Sequence, residues 1–176
     1  MNKNTPSKKA SNTSWNKVAG WYDELLTTDS DSYQSKVIAP NLLRVLDLKK
    51  GEQVFDLACG QGYFSNLFFK SGASVVASDI SKRLIETALK NSPKGINFHV
   101  APAHKATFLK DNSIDTVVIV LAIQNIENVA DMISECKRVL RKNGRMVMVM
   151  NHPAFRVPQG SDWYFADGVQ YRIVGK

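Results

Sequence analysis

Two acidic residues, each at the end of an apolar run, are well placed to do chemistry in this chain. Asp56 follows Val54 and Phe55, and Asp79 follows the run 74–78. Short apolar runs of this kind predict buried strands of a parallel sheet, whose carboxyl ends form the edge where ligands bind. We therefore expect both carboxylates at one edge, with Asp79 beside the hydroxyl groups of a ribose.

The residues after Asp56 predict a tight turn and then a helix. Ala58, Gly60 and Gly62 are small, and an apolar segment runs from there to Gly72. Glycines let backbone N–H groups come close to a ligand, and the start of a helix adds a partial positive charge. A strand, a small-residue turn and a helix in this order predict a nucleotide site.

Two kinds of cofactor compete for this turn. A dinucleotide fingerprint has a third glycine where this chain has Ser65, and it would bring a pyrophosphate close to Asp56. A carboxylate repels two phosphates but favours a cationic ligand. S-adenosylmethionine carries an ammonium and a sulfonium group and no phosphate. The pattern therefore favours this cofactor over the dinucleotide of a nicotinamide oxidoreductase.

The segment 56–62 resembles the first motif of class I S-adenosylmethionine-dependent methyltransferases, commonly D-L-G-C-G-x-G. Ala58 replaces the first glycine, which narrows the methionine end slightly and keeps the turn. The resemblance continues through Asp79, 111–115 and 138–145 and covers residues 15–158. It implies a three-layer Rossmann-like α/β fold with a mostly parallel sheet. It also implies an enzyme that transfers a methyl group from S-adenosylmethionine to an unidentified acceptor, with a small molecule favoured.

The same resemblance implies a set of cofactor-binding residues. Asp56 would hold the methionine end through the turn, Asp79 would bind the ribose, and Ile80 and Leu121 would pack near the adenine and the methionine. Members of the family usually have Asp-Ala where this chain has Pro102-Ala103-His104, so His104 or the backbone would contact the adenine. The complete set is Tyr22, Asp56, Ala58, Gly60, Gly62, Asp79, Ile80, Ala103, His104 and Leu121.

Substrate residues are expected beyond the fourth and fifth strands. Gln124 and Asn125 follow the fourth strand, and Asn151 and Arg156 belong to a polar segment, 151–158, that contains two prolines. That segment resembles an Asn-His-Pro-x-Phe-Arg stretch of a subgroup of small class I methyltransferases. A general base is optional for methyl transfer. If one is needed, His152 is the first candidate and His104 the second.

Composition narrows the remaining classes. The 176 residues carry a net charge of +7, two cysteines and no apolar span long enough for a membrane helix. Cys59 and Cys136 are expected to be buried reduced thiols. The basic excess lies in the first 17 residues and in 137–145, and this distribution does not indicate a nucleic-acid groove. We expect a cytoplasmic protein with no metal site.

The chain divides into a tail and one domain. Residues 1–14 are polar and basic and are expected to be disordered, and the methyltransferase domain spans 15–176. Within it, 15–50 would form a helical cap, 51–150 the cofactor-binding core, and 151–176 a substrate loop with partial closure of the sheet. Pro40 should break or restart a helix within the cap.

The C-terminal half of the core has the weakest sequence signals. A helix is predicted over 128–141 and ended by Asn143-Gly144, with the fifth strand at 146–150. Beyond it only 168–174 could pair with that strand, so the fold is expected to lack the last two strands of the class. Either the protein is a fragment, or it covers the open edge of the fifth strand in another way, such as self-association. The missing strands also keep an alternative open, a truncated non-catalytic protein that binds the cofactor or acts through its surface.

Overall fold

The computed structural model describes residues 32–151, 161–166 and 169–174. A π-helical turn, Gln34–Ile38, leads into the first α-helix, and Pro40 lies in the first turn of that helix, where its missing N–H is not needed. The elements are α1 (Ala39–Leu46), β1 (Gln53–Leu57), α2 (Tyr63–Lys70), β2 (Ser74–Asp79), α3 (Lys82–Asn91), β3 (Asn97–Val100), β4 (Ile114–Val120), α4 (Val129–Val139), β5 (Leu140–Val149), β6 (Ser161–Ala166) and β7 (Val169–Val174).

Five strands form one parallel sheet in the order β3-β2-β1-β4-β5. The chain adds β2 and β3 on one side of β1 and then β4 and β5 on the other. The carboxyl ends of β1, β2 and β4 therefore lie side by side. The predicted Rossmann-like α/β fold, with a mostly parallel sheet, is thereby confirmed. Strand β4, which lies between β1 and β5, is buried along most of its length, as its nearly continuous apolar sequence predicts.

Helices cover both faces of this sheet, which gives the three layers. On one face, Leu42 and Leu46 of α1 and Phe68 of α2 pack against the sheet. On the other face, Met132 and Cys136 of α4 form a second apolar core with residues of β1 and β4.

Two predicted boundaries in the C-terminal half are wrong. Helix α4 ends at Val139, not at Arg141, and the fifth strand begins at Leu140 instead of Met146. The cause is pairing with β4, because Leu140 lies opposite Ile114. Asn143 has a φ of 67° inside β5, next to an irregularity in the register, so it marks a distortion of the strand and not a helix end.

The last two strands form a sheet of their own. β7 pairs antiparallel with β6. The prediction that 168–174 would pair with the fifth strand is therefore wrong. In the described part of the chain β5 is therefore an edge strand, and self-association through it stays a prediction. No described helix has the length and apolar character needed to cross a membrane.

Candidate functional site

A cavity of about 390 Å³ opens at the carboxyl ends of β1, β2 and β4. Its floor is the turn after β1, and one wall is the segment after β3. The opposite wall is the segment between β4 and α4. The lining residues are Asp56, Ala58, Cys59, Gly60, Gln61, Tyr63, Phe64, Asp79, Ile80, Leu84, Ala101, Pro102, Ala103, His104, Val120, Leu121, Ala122, Asn125, Ile126, Glu127 and Asn128.

The two glycines of the turn have opposite surroundings. Both have positive φ, 59° at Gly60 and 83° at Gly62. A Cβ at Gly60 would meet no atom within 4 Å, whereas one at Gly62 would lie 3.1 Å from the Phe98 ring and 3.2 Å from Ala88. Gly60 therefore leaves space on the cavity side, and Gly62 lets the turn pack closely against β3 and α3.

Ala58, where the family motif has glycine, has a φ of 60°. A left-handed conformation costs a residue with a Cβ roughly 1–2 kcal/mol, while glycine loses about 0.5–1 kcal/mol more chain entropy on folding. We expect Ala58→Gly to stabilise the protein slightly, by roughly 0.5–1 kcal/mol in chemical denaturation. Ala101→Gly is the matched control, because Ala101 lines the same cavity without a positive φ, and it should destabilise. A loss of stability in Ala58→Gly would show that the backbone at Ala58 is unstrained.

Asp79 ties the turn to the end of β2. One carboxylate oxygen accepts a hydrogen bond of 3.0 Å from the Gly60 N–H, and the other accepts one of 2.8 Å from the Ser81 N–H. The side chain is buried, and burial raises its pKa above the ordinary value despite these bonds. Each carboxylate oxygen keeps acceptor capacity for a ligand in the cavity.

Asp56, in β1, lies deeper than Asp79 and contacts the first turn of α2. It is 2% exposed and accepts a hydrogen bond of 2.5 Å from the Ser65 hydroxyl. Burial, with a smaller contribution from the neighbouring Asp79, raises the pKa of this carboxyl to about 7, and the hydrogen bond from Ser65 opposes the shift. Two buried acids in contact with one cavity favour a ligand that carries positive charge.

The wall after β3 is held in place by one guanidinium group. Arg138 of α4 donates 3.0 Å hydrogen bonds to the carbonyls of Ala106 and Leu109 and pairs with Glu135 and Asp111. Glu135 also accepts a 2.7 Å hydrogen bond from the Ala106 N–H. These bonds attach the segment after β3 to α4, and that segment places Pro102, Ala103 and His104 at the cavity wall.

Comparison with known proteins decides the family. Residues 55–148, more than half of the chain, match the family described as a methyltransferase domain. The chain belongs to the methyltransferase domain family. The resemblance to class I S-adenosylmethionine-dependent methyltransferases is thereby confirmed, and the matched residues run from β1 to β5 and include both acids and the turn.

Individual relatives agree with this assignment. A demethylmenaquinone methyltransferase of Streptomyces avermitilis is 31% identical over 140 residues, which are 78% of this chain and 59% of that protein. One from Thermotoga maritima is 28% identical over 81% of this chain and 62% of its own length. The structure of an S-adenosylmethionine dependent methyltransferase from Mesorhizobium loti has a TM-score of 0.65 and 26% identity over 82% of this chain and 64% of that chain. The methyltransferase domain described here thus spans about three-fifths of the length of these relatives.

The structure brings most of the residues expected at the cofactor to one cavity. Those that line it are Asp56, Ala58, Gly60, Asp79, Ile80, Ala103, His104 and Leu121, together with Asn125 from the substrate set. Tyr22, His152 and Arg156 lie outside the described residues, so their placement stays a prediction. The roles of the lining residues likewise stay predictions.

Three expected site residues do not line the cavity. Gly62 packs beneath the turn, for the steric reason given above. Gln124 is exposed, and its amide donates a 2.7 Å hydrogen bond to the carbonyl of Leu121. Asn151 is exposed and follows the edge strand β5.

Sequence reasoning passed over three residues at the site. Ser65 was taken only as a missing third glycine, although a hydroxyl one turn into α2 is a natural partner for Asp56. Glu127 lines the cavity in the segment before α4, and no local pattern distinguishes it. Gln61 is 7% exposed, and its amide nitrogen has no hydrogen-bond partner among the described residues.

The cysteines have no nucleophilic role in this geometry. Burial raises the pKa of the Cys59 thiol well above its ordinary value, and the acids nearby raise it further. Burial likewise raises the pKa of Cys136 to about 11. Both are therefore neutral thiols at physiological pH, as expected from the sequence. In the part of the chain that the structure describes, no cluster of His, Cys, Asp and Glu could hold a metal ion.

Proposed function

We propose that this methyltransferase domain binds S-adenosylmethionine in the cavity and transfers its methyl group to a small-molecule acceptor. The observation that carries the proposal is the pair of buried acids, Asp56 and Asp79, on either side of a glycine whose missing side chain leaves the cavity open. Membership of the methyltransferase domain family and the named activity of the relatives support it.

The lining residues fit the two ends of this cofactor. Asp79 has acceptor capacity for the hydroxyls of a ribose, and Ile80, at 43% exposure, presents an apolar surface beside it that suits a flat base. Leu121 and Ala103 add apolar contact from the two walls. Asp56 and Asp79 together favour the positive charge of the ammonium and sulfonium groups.

The chemistry needs little from protein side chains. When bound, the cofactor supplies a methyl group already activated by a positively charged sulfur. Transfer would join that carbon to the acceptor nucleophile as the carbon–sulfur bond breaks, with the bonding electrons left on the sulfur and the proton of the acceptor released to solvent. The chain contributes position and exclusion of water, which its apolar walls at Leu121, Ala122 and Ile126 can provide.

A quinone-type aromatic ring is the acceptor class we favour. Several relatives are demethylmenaquinone methyltransferases, and the wall between β4 and α4 combines apolar Leu121, Ala122 and Ile126 with the carboxylate of Glu127. An apolar ring could lie against the first three. Transfer of a labelled methyl group to a demethylated quinol, measured by mass spectrometry, tests this class directly.

Binding calorimetry tests the proposed function itself. We expect S-adenosylhomocysteine to bind and NADH to fail, because Asp56 and Asp79 repel a pyrophosphate. Binding of NADH alone would replace the proposal with a nicotinamide enzyme. Binding of S-adenosylhomocysteine without transfer to any acceptor would favour the alternative, a non-catalytic protein of the same fold.

Asp79→Ala is expected to weaken binding of S-adenosylhomocysteine by about 1–3 kcal/mol. The ribose hydroxyls would lose a charged acceptor, and the Gly60 N–H would lose the bond that sets the turn. Asp79→Asn keeps the shape and one oxygen, so its loss should be smaller. Glu86→Ala on the exposed face of α3 makes the same change of charge away from the cavity and should bind normally. Unchanged affinity in Asp79→Ala would remove this carboxylate from the ribose site.

A further inference from the structure

The side chain of Gln61 is buried at the cavity with an unmet hydrogen-bonding group. It is 7% exposed, lines the cavity, and its Nε2 has no partner among the described residues. A buried polar group left unpaired costs about 1–3 kcal/mol. Two other described side-chain atoms are buried without a partner, Asn66 Oδ1 and Ser92 Oγ, but neither residue lines the cavity. Among the described residues, Gln61 is therefore the only one that both lines the cavity and has a buried side-chain atom without a hydrogen-bond partner.

Three backbone donors around Gln61 are already used within the protein. The start of α2 would ordinarily attract an anion, but the carboxylate of Asp56 already lies there and accepts a hydrogen bond from the Ser65 hydroxyl. The other bonds are Cys59 N–H to Ser78 O (3.0 Å), Gly60 N–H to Asp79 Oδ2 (3.0 Å) and Gly62 N–H to Cys59 O (3.1 Å). Among the side chains of the turn, Gln61 contributes a buried amide donor that no described residue uses.

The charges near Gln61 restrict the chemistry of its partner. A free anion would be repelled by Asp56 and Asp79, which line the same cavity. An anionic group is acceptable there when a cationic group of the same molecule accompanies it. A primary amide has an NH₂ group that donates hydrogen bonds beside a carbonyl oxygen that accepts them. The α-carboxylate and α-ammonium groups of an amino acid match both requirements.

We propose that the Gln61 amide binds the amino-acid end of the cofactor, with its nitrogen donating to the α-carboxylate. Gln61 thereby gives this chain its preference for ligands that carry an intact amino-acid end over ligands that carry only the adenosine part. Asp79, on the far side of Gly60, remains free for the ribose. The inference rests on the proposed function, since it assigns a residue to one end of the proposed cofactor.

Gln61→Met tests the proposal, because methionine has nearly the same shape and no amide. Calorimetry compares S-adenosylhomocysteine with 5′-methylthioadenosine, which lacks the amino-acid end. We expect the variant to lose about tenfold or more in affinity for S-adenosylhomocysteine and to bind 5′-methylthioadenosine like the wild type. The melting temperature should stay level or rise, since an unpaired buried amide is removed.

Asn66→Leu is the matched control. It also removes a buried amide atom that lacks a partner, Oδ1, but outside the cavity, so it should leave both affinities unchanged. Equal loss for both ligands in Gln61→Met would overturn the inference, because the amide would then act through the adenosine part or through the shape of the turn. Unchanged affinity for S-adenosylhomocysteine would overturn it as well and leave the proposed function standing. Failure of the wild type to bind S-adenosylhomocysteine would overturn both.

Discussion

Gly60→Val is expected to abolish binding of S-adenosylhomocysteine, with a loss of more than about 3 kcal/mol, or roughly a factor of 100 or more. The physical reason is steric. A Cβ at Gly60 meets no protein atom within 4 Å because it would extend into the cavity, and the branched side chain would occupy ligand space. The measurement is calorimetry, with circular dichroism and a thermal melt to establish that the variant is folded.

Strain at the backbone must be separated from this steric effect. Gly60 has a φ of 59°, where a β-branched residue is unfavourable. Gly60→Ala is the milder variant, since Ala58 shows that this turn holds an alanine at a φ of 60°, and it should fold and bind more weakly than the wild type. Gly62→Ala should instead lower stability by about 1–3 kcal/mol, because its Cβ would press on Phe98. Normal binding by a folded Gly60→Val would exclude the turn as the site.

Arg138→Ala is expected to destabilise the protein by about 3 kcal/mol and to lower the melting temperature by roughly 6–12 °C. The guanidinium group satisfies the carbonyls of Ala106 and Leu109 and neutralises Glu135, whose side chain is only 14% exposed. Its removal would leave a largely buried carboxylate and two carbonyls without their partner. The segment that carries Ala103 and His104 would loosen, so affinity for S-adenosylhomocysteine should also fall.

Arg141→Ala is the matched control for that loss. Arg141 lies three residues along the chain and makes a single ion pair of 2.7 Å with Asp115, with side chains 46% and 33% exposed. An exposed pair of this kind contributes about 0–1 kcal/mol. Equal destabilisation by the two variants would show that Arg138 acts through charge alone and not through its bonds to the loop after β3.

The sequence by itself determined the strands of the core and the edge at which the site lies. Short apolar runs that end in Asp56 and Asp79 predict buried strands, and parallel strands bring their carboxyl ends together. Ser81 caps α3 as the sequence indicates, through a 3.3 Å hydrogen bond from the Leu84 N–H to its hydroxyl. These features depend on residues close together in the chain, so local pattern was sufficient to find them.

The C-terminal half of the core shows where local pattern is insufficient. The helical periodicity of α4 runs to Arg141, yet the helix ends at Val139 because Leu140 pairs with Ile114 of β4. Likewise 168–174 reads as a strand in either setting, and its partner, β6, is fixed by long-range pairing. The residues of a strand indicate that it pairs with another strand, but they do not indicate which one.

At the site, only the tertiary structure decided which of two like residues contacts the cavity. Gly60 and Gly62 are the same residue type two positions apart, both with positive φ, yet one borders open space and the other packs against Phe98. Gln61 and Gln124 differ in the same way, one buried without a partner and one exposed and bonded to Leu121. The direction in which a turn residue points depends on packing against β3 and α3, elements some 25 to 40 residues away in the chain, and no motif encodes that packing.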